Sequence, residues 1–559
     1  MVPLIQAQAA LVDLAQPEPA WSLQDQVADD TLQCIQKLST QILELEYTLI
    51  PHGLHVVGQQ LSEEALIDMA MAMALAEVGK NPTRDSMALL VADRPIQEVM
   101  ACSGLPQTPE IAAMLDKLAL SVRLMRRDSE IEGLMAGLDG RYIHPAPGGD
   151  ILRNADILPT GRNLHGFDPF KIPSSFAVQD GARQADRLIA RYIDDGHALP
   201  ESIAIVLWGS DNLKSEGSQI GQALRLMGAQ PRFDSYGRLV GAQLMPLETL
   251  GRPRIDVVIT LSGIFRDLMP LQIKMLAEAA YMAATAQEST EDNYIRKHAL
   301  AYQAQHGCDM ATASLRVFGN ADGAYGSNVN NLVENGLWAD EDELANTYTS
   351  RKGFAFGVNG QPVAQNALLK SALADVALTY QNLESVELGV TTVDNYFDTL
   401  GGITRAVKQA KGSDDDIPVY IGDQTRGDGQ IRSLSEQVSL ETRTRMLNPK
   451  WYESMLEHGY EGVRQIEVHI TNTMGWSATT GQVQPWVYKQ LTEKFMLDPA
   501  MRDRLAKLNP TASARLANRL MEASKRAYWT PDAQMLERMK QANEELEDRL
   551  EGVIEGRAA

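Results

Sequence analysis

Ser202-Ile-Ala-Ile-Val-Leu-Trp208 is a short unbroken apolar run rich in β-branched side chains. A polar turn follows it, and then Ile220, Ala223, Leu224 and Met227 recur at three- and four-residue spacing. A run with no polar face fits a strand buried on both sides, and the period after it fits a helix laid against that strand. Arg254-Ile-Asp-Val-Val-Ile-Thr-Leu261 repeats the pattern, leading through a Gly turn into a helix around Leu271 to Ala284. Alternating strand and helix units predict a parallel α/β sheet, with Ile417-Pro-Val-Tyr-Ile421 and Ile466-Glu-Val-His-Ile470 as further candidate strands. Ligands of such sheets sit beyond the carboxyl ends of the strands, which is where Asp211, Lys214, Glu216, Arg266 and Asp267 fall.

Outward from this centre the pattern turns helical. Leu32, Ile35, Leu38, Ile42, Leu45 and Leu49 form a one-sided stripe, and the run Met69 to Ala76 is bounded by Asp68 and Glu77. That run falls short of the roughly 20 residues needed to cross a bilayer and reads as a buried helix. The expected organisation is a multi-domain α/β chain. It comprises a mainly helical region over 1–135, a Pro/Gly-rich loop with a connecting helix over 136–200, an α/β region over 201–482, and a helical region over 483–559. Pro51-His-Gly-Leu-His-Val-Val-Gly58 interrupts the first region. His52 and His55 lie three apart like a ligand pair, but no carboxylate or thiol stands beside them at metal-site spacing, so a loop-capping role is the alternative.

With 559 residues and 44% hydrophobic content, the chain can bury a sizeable core. A net charge of −22 repels phosphate backbones and anionic lipid surfaces, which argues against nucleic acid and membrane partners. Cys34, Cys102 and Cys308 are too scattered for a disulfide framework or a thiolate metal site. With no basic n-region at the N-terminus and no spanning segment, cytoplasm is the expected compartment. No GxxxxGK[ST] phosphate loop, GxGxxG fingerprint, HExxH helix or GxSxG elbow occurs; Gly422-Asp-Gln-Thr-Arg-Gly-Asp-Gly429 is not a Walker site. The chain is therefore not expected to hydrolyse ATP itself.

The densest polar stretch is Asp139-Gly-Arg-Tyr-Ile-His-Pro-Ala-Pro-Gly-Gly-Asp-Ile-Leu-Arg-Asn-Ala-Asp-Ile-Leu-Pro-Thr-Gly-Arg-Asn-Leu-His-Gly-Phe-Asp-Pro169. Its two His, four Asp, three Arg and two Asn are interleaved with turn formers, which suits a rigid loop that presents side chains. An ordinary ordered connection is the plain alternative. The stretch resembles a signature of the CobN/magnesium-chelatase family, the large subunits of magnesium chelatase and cobaltochelatase. Four more segments agree with that family and in its order: Leu207 to Gly217, Ser262 to Pro270, Arg316 to Gly326 and Asn472 to Gly481. His144 and Ala146 depart from the pattern, where Pro and Gly are usual.

The resemblance implies the C-terminal part of a magnesium chelatase large (H) subunit, with an N-terminal part not represented here. That subunit binds protoporphyrin IX and inserts Mg²⁺ for chlorophyll and bacteriochlorophyll biosynthesis, while two smaller AAA+-type subunits hydrolyse ATP. Cobaltochelatase and a non-catalytic porphyrin carrier or sensor are the alternatives. Mg²⁺ takes hard oxygen ligands and dehydrates reluctantly, so Asp150, Glu216 and Asp267 are candidate delivery ligands. Two pyrrole protons must leave, and His165 and His144 are the candidate acceptors. Arg153 and Arg162 suit the propionates, with Asn154, Asp211, Lys214 and Arg266 as further contacts. Tyr142, Phe167 or Trp208 can stack on the ring. Each has a structural alternative, such as Arg153 bridging Asp150 or Asp156, or Trp208 lying in the core.

Overall fold

The computed structural model describes residues 54–78, 80–146, 151, 155–164, 168–412, 415–425 and 429–551. They form two compact units. The first holds His55–Ser435 with Thr471–Val483; the second holds, among the described residues, Leu54, Glu436–Ile470 and 484–551.

The first unit is built on an eight-stranded sheet. In chain order the strands of this unit are β1 (Pro145–Ala146), β2 (Asn163–Leu164), β3 (Ser202–Leu207), β4 (Ala229–Phe233), β5 (Leu239–Leu244), β6 (Asp256–Leu261), β7 (Val317–Gly319), β8 (Phe354–Phe356), β9 (Pro362–Ala364), β10 (Leu378–Leu383), β11 (Val419–Asp423) and β12 (Gln430–Ser433). The large sheet runs β12-β11-β10-β3-β6-β7-β8-β9, while β1 pairs β2 and β4 pairs β5 separately. The strands from β11 to β7 are parallel, as the apolar runs predict; β12, β8 and β9 are antiparallel edges. Every residue of β3, β6 and β10 is buried.

Strand β10 escapes the sequence reading because Leu378-Thr-Tyr-Gln-Asn-Leu383 is half polar. Its Thr379, Gln381 and Asn382 are nonetheless inside. It also sets the position of the site. From β3 the chain proceeds to β6 on one side, and β10 later pairs with the opposite side of β3. The order of winding therefore reverses between β3 and β10, and a crevice opens beyond their carboxyl ends.

Helices Glu63–Val78, Arg84–Val91, Ile96–Cys102 and Pro109–Met125 pack around Leu66, Ala70, Met73, Met87, Leu90, Leu115 and Val122. The Met69-to-Ala76 run lies in the first of these; Ala70, Met73 and Ala74 are buried there, while Met69, Met71, Ala72 and Leu75 are half-buried. Thr83 and Thr108 start two of them by accepting the backbone N–H groups of Ser86 and Ile111. The Leu32-to-Leu49 stripe and His52 lie outside the described residues. Among the described residues no helix is long and apolar enough to cross a membrane.

The second unit is helical, with Pro449–Glu457, Pro485–Leu491, Pro499–Leu508, Pro510–Lys525 and Ala533–Glu551. Ile466-Glu-Val-His-Ile470 is not a strand; it lies within the helix Tyr460–Thr480. Ile466, Val468 and Ile470 alternate, but Val463, Ile466, Ile470 and Met474 are the fully buried set, and that spacing is helical. Five residues are too few to separate the two periods.

Candidate functional site

A cavity of about 350 Å³ lies in the first unit, where its N-terminal helices, the Pro/Gly-rich loop and the carboxyl ends of β3 and β10 come together. Leu61, Met69, Leu124, Met125, Ile157 and Leu158 provide apolar wall. His55, Arg127, Asp128, Glu130, Lys214 and Glu387 provide charge or proton-exchanging groups. A mainly apolar cavity with a few convergent polar groups, placed at a topological switch point, is the usual form of a small-molecule site.

The loop that forms one wall is fastened by its own side chains. Arg162 donates Nε to Pro159 O (3.0 Å) and Nη2 to Asp156 O (2.8 Å) and Leu158 O (2.9 Å). The Arg162 expected on a propionate thus spends these two nitrogens on shaping the loop. Gln272 Nε2 reaches Pro169 O (2.6 Å) and Ile172 O (2.8 Å), tying the end of the loop to helix Pro270–Thr285. Gly161 adopts φ +74°, and a Cβ on it would overlap Ser129 and Glu130 backbone; a Cβ on Gly133 would overlap Gly161. Helix Glu130–Leu138 and the loop approach that closely only because both positions are glycine.

After β3 the chain turns through the short helix Gly209–Lys214, pressed against helix Gly263–Leu268 that follows β6. Ser262 Oγ accepts from Gly209 N (3.1 Å), and a Cβ at Gly209 would meet Ile264 and Phe265 at 2.6 Å. Lys214 reaches the cavity wall, and no ion pair to it occurs among the described residues. Glu216 is exposed and sits at φ +52°, a conformation L side chains seldom adopt. Asp211 is buried, with Ser210 Oγ 3.4 Å from its Oδ1. Beneath the crevice runs a buried polar chain. Asn212 Nδ2 donates to Gln219 Oε1 (2.9 Å), Gln219 Nε2 to Glu384 Oε1 (3.5 Å), and Asn382 Nδ2 to Glu384 Oε1 (3.2 Å) and Gln184 Oε1 (2.7 Å). Trp208 belongs to the core, its Nε1 on Gln381 Oε1 (3.1 Å) and its ring edge-on to Tyr396.

Two of the segments quoted from the sequence meet beside β6 and β7. Arg266 Nε donates to Asp267 Oδ1 (2.8 Å), its Nη1 reaches Ala324 O (2.8 Å), and its guanidinium lies 5.1 Å from the Tyr325 ring centre. Tyr325 OH also bonds Asp267 Oδ2. The Arg266 hydrogen bond, helped by Tyr325, holds the Asp267 carboxyl below its ordinary range, and that carboxylate raises the Tyr325 hydroxyl. Deeper in, Lys352 Nζ donates to Leu261 O (2.9 Å) and Asn320 Oδ1 (2.8 Å); burial pulls its pKa down to about 8, opposed by the charge of Asp398.

Among the described residues proposed from sequence for the porphyrin and metal, Lys214 alone lines the cavity, and Arg162 stiffens the loop that does. His144 is exposed and edge-on to Tyr142, with ring centres 5.2 Å apart. Asp150, Arg153, Asn154, His165 and Phe167 lie outside the described residues. Among the described residues no three His, Cys, Asp or Glu side chains gather as a metal site, so neither Glu216 nor Asp267 belongs to such a group there. Glu130, Ser385 and Glu387 were missed: none belongs to a motif, and they reach the cavity only through folding. His55 stood out in the sequence by its spacing from His52, not by its true neighbour. Its Nε2 is 2.9 Å from Glu130 Oε2.

The sequence profile of the CobN/Magnesium Chelatase family matches residues 3–100 and 97–536. The chain belongs to this family. It is 56% identical over 515 residues to the magnesium-chelatase H subunit of Cereibacter sphaeroides, covering 92% of this chain and 40% of that protein. It is 56% identical over 520 residues to the protein of the same name from Rhodobacter capsulatus, covering 93% and 40% respectively. Among solved structures, the catalytic subunit of cobaltochelatase from Mycobacterium tuberculosis superposes with a TM-score of 0.88 at 30% identity, over 98% of this chain and 49% of that one. The chain spans about 40% of the length of the two magnesium-chelatase relatives. Within the CobN/magnesium-chelatase family it sides with the magnesium branch by sequence, while sharing its architecture with the cobalt branch.

Proposed function

We propose that this chain is the porphyrin-binding C-terminal part of a magnesium chelatase large subunit. It inserts Mg²⁺ into protoporphyrin IX for chlorophyll or bacteriochlorophyll formation, in the cytoplasm, together with two smaller AAA+-type subunits that hydrolyse ATP. The observation that carries this reading is the apolar cavity where the family's loop signature meets the β3–β10 switch point. A flat apolar macrocycle is drawn to walls such as Leu124, Met125 and Leu158. Its propionates need cations, and Lys214 stands at the wall with no carboxylate already holding it among the described residues. Arg153, Asn154 and the remaining Arg162 donors, with Asp211 and Arg266, are the further porphyrin contacts in this reading. Mg²⁺ is a substrate that must shed water on hard oxygens, for which Asp150, Glu216 and Asp267 are the proposed stations. His165 and His144 are proposed as proton acceptors from the loop. The work of dehydrating the ion is assigned to the partner subunits, since the chain has no phosphate loop.

Titrating the chain with protoporphyrin IX while following tryptophan quenching tests the reading. Saturable binding is expected, and Lys214→Gln is expected to weaken it roughly tenfold or more, as loss of a charge-assisted bond does. A chain that does not bind porphyrin at all refutes the proposal. The shared architecture with a cobaltochelatase subunit favours a second reading, in which Co²⁺ and a corrin precursor replace Mg²⁺ and porphyrin. Tighter binding of a corrin precursor than of protoporphyrin would select it.

A further inference from the structure

We propose that His55 is a proton acceptor for the pyrrole N–H groups, with Glu130 as the residue that positions it; the inference rests on the reading of the cavity as the porphyrin site. The contact is specific. His55 Nε2 lies 2.9 Å from Glu130 Oε2, the two residues are 75 positions apart, and both line the cavity. A carboxylate can only accept, so it selects the tautomer with hydrogen on Nε2 and leaves the Nδ1 lone pair for a second partner. This is the general arrangement in which an acid residue orients an imidazole base and stabilises the imidazolium it becomes.

The surroundings support the same use. The His55 side chain is 66% exposed while that of Glu130 is 23% exposed, so the ring touches both solvent and cavity and its partner is partly screened. Glu130 opens helix Glu130–Leu138, and its backbone is pressed by Gly161 of the signature loop, which fixes where the carboxylate starts from. The other charged groups lining the cavity are differently placed. Arg127 pairs with Glu132 (3.0 Å), Asp128 Oδ1 accepts Ile131 N (3.3 Å), Lys214 is a cation, and Glu387 is exposed on the β10 side. Among the described residues no imidazole other than that of His55 lines this cavity.

In the step, one pyrrole N–H bond breaks and its electron pair stays on the nitrogen, where it becomes available to the metal. The proton forms a bond to His55 Nδ1, giving an imidazolium paired with Glu130. It then leaves to water from the exposed face of the ring. A second passage removes the second proton, so the two protons released balance the two positive charges that enter with the metal.

The test needs only this chain and metal-free protoporphyrin IX: NMR measurement of how fast the bound ring's inner N–H protons exchange with solvent deuterium. His55→Gln is expected to slow exchange at least about tenfold, with porphyrin affinity within about twofold of the parent. Glu130→Gln is expected to slow it less, because the imidazole remains. Added imidazole is expected to restore exchange in His55→Gly, which a purely structural role would not allow. Parent-like exchange in porphyrin-bound His55→Gln overturns the inference and leaves the cavity reading standing. Failure of the parent chain to bind porphyrin overturns the cavity reading and the inference with it.

Discussion

Replacing Asp256 by alanine is expected to destabilise the α/β unit by about 3–5 kcal/mol, the range seen when one partner of a buried ion pair is removed. Asp256 opens β6, and the Arg316 side chain lies just ahead of β7; each is only 2% exposed. Arg316 Nε donates to Asp256 Oδ1 (2.8 Å) and Oδ2 (3.0 Å), and His298 Nδ1 is 2.9 Å from Oδ2. Without the carboxylate, a guanidinium is left in the interior facing an imidazole, with only the Ala313 and Leu315 carbonyls to receive it. The cluster stands at the amino ends of the strands, away from the cavity, so porphyrin affinity of the folded fraction is expected to be unchanged. Urea unfolding followed by circular dichroism measures the first effect, and a loss under about 1 kcal/mol would contradict it.

The same cluster gives a pH dependence with a defined sign. Burial opposes charging His298, but its bond to Asp256 and that carboxylate's charge outweigh this, and its pKa is raised. Burial likewise opposes charging Asp256, yet Arg316 and His298 prevail and its pKa is lowered. The His298 contribution is complete below the ordinary histidine range, about 6.5, and is lost as pH rises through the higher folded value. The Asp256 contribution is complete above about 3.9 and is lost as pH falls through the depressed folded value. Stability should therefore decline as pH rises above the ordinary histidine range and through the raised folded value, and the decline should flatten in His298→Gln. Glu201, 3.5 Å from His298 Nε2, Asp375 and Arg316 are other charged groups that act on this ring.

Gly161→Ala is expected to cost roughly 2–5 kcal/mol, combining a left-handed conformation that an L side chain resists with a methyl group driven into backbone. At φ +74° its Cβ would overlap Ser129 O and crowd Glu130 Cα, neither of which is the yielding end of a flexible side chain. The strain falls on the contact between the signature loop and the start of helix Glu130–Leu138. Porphyrin affinity should therefore drop along with stability, in contrast to Asp256→Ala. Calorimetry for the transition and fluorescence for binding test both halves; a variant with parent-like stability would show that the loop can yield there. By comparison Gly140, also at positive φ but with nothing within 4 Å of a built Cβ, should lose only the conformational part.

Much of the architecture was legible in local pattern. Ser202 to Trp208 and Arg254 to Leu261 became adjacent central strands, paired Ser202 to Asp256 through Leu207 to Leu261. Their apolar content on both faces required helices above and below. The polar loop from Asp139 to Pro169 was recognisable because its turn formers exclude regular elements, and its described part carries only two-residue strands and short 3₁₀ turns. Strand β10 was not legible, since Thr379, Gln381 and Asn382 meet tertiary partners, Thr404, Trp208 and Gln184, rather than solvent. Ile466 to Ile470 was misread because five residues satisfy both periods.

By itself the sequence determined which segments must be buried, which stretch is a polar loop, and that it holds no GxxxxGK[ST] phosphate loop, because these follow from residue type and spacing along the chain. The tertiary structure decided the rest. Trp208 finds Gln381 across 173 positions, His55 finds Glu130 across 75, and Lys214 comes to face Ser385 and Glu387 across one cavity. Such pairings depend on the order of strands in the sheet and on glycine-sized gaps between backbones, and periodicity specifies which face of an element is covered but not what covers it.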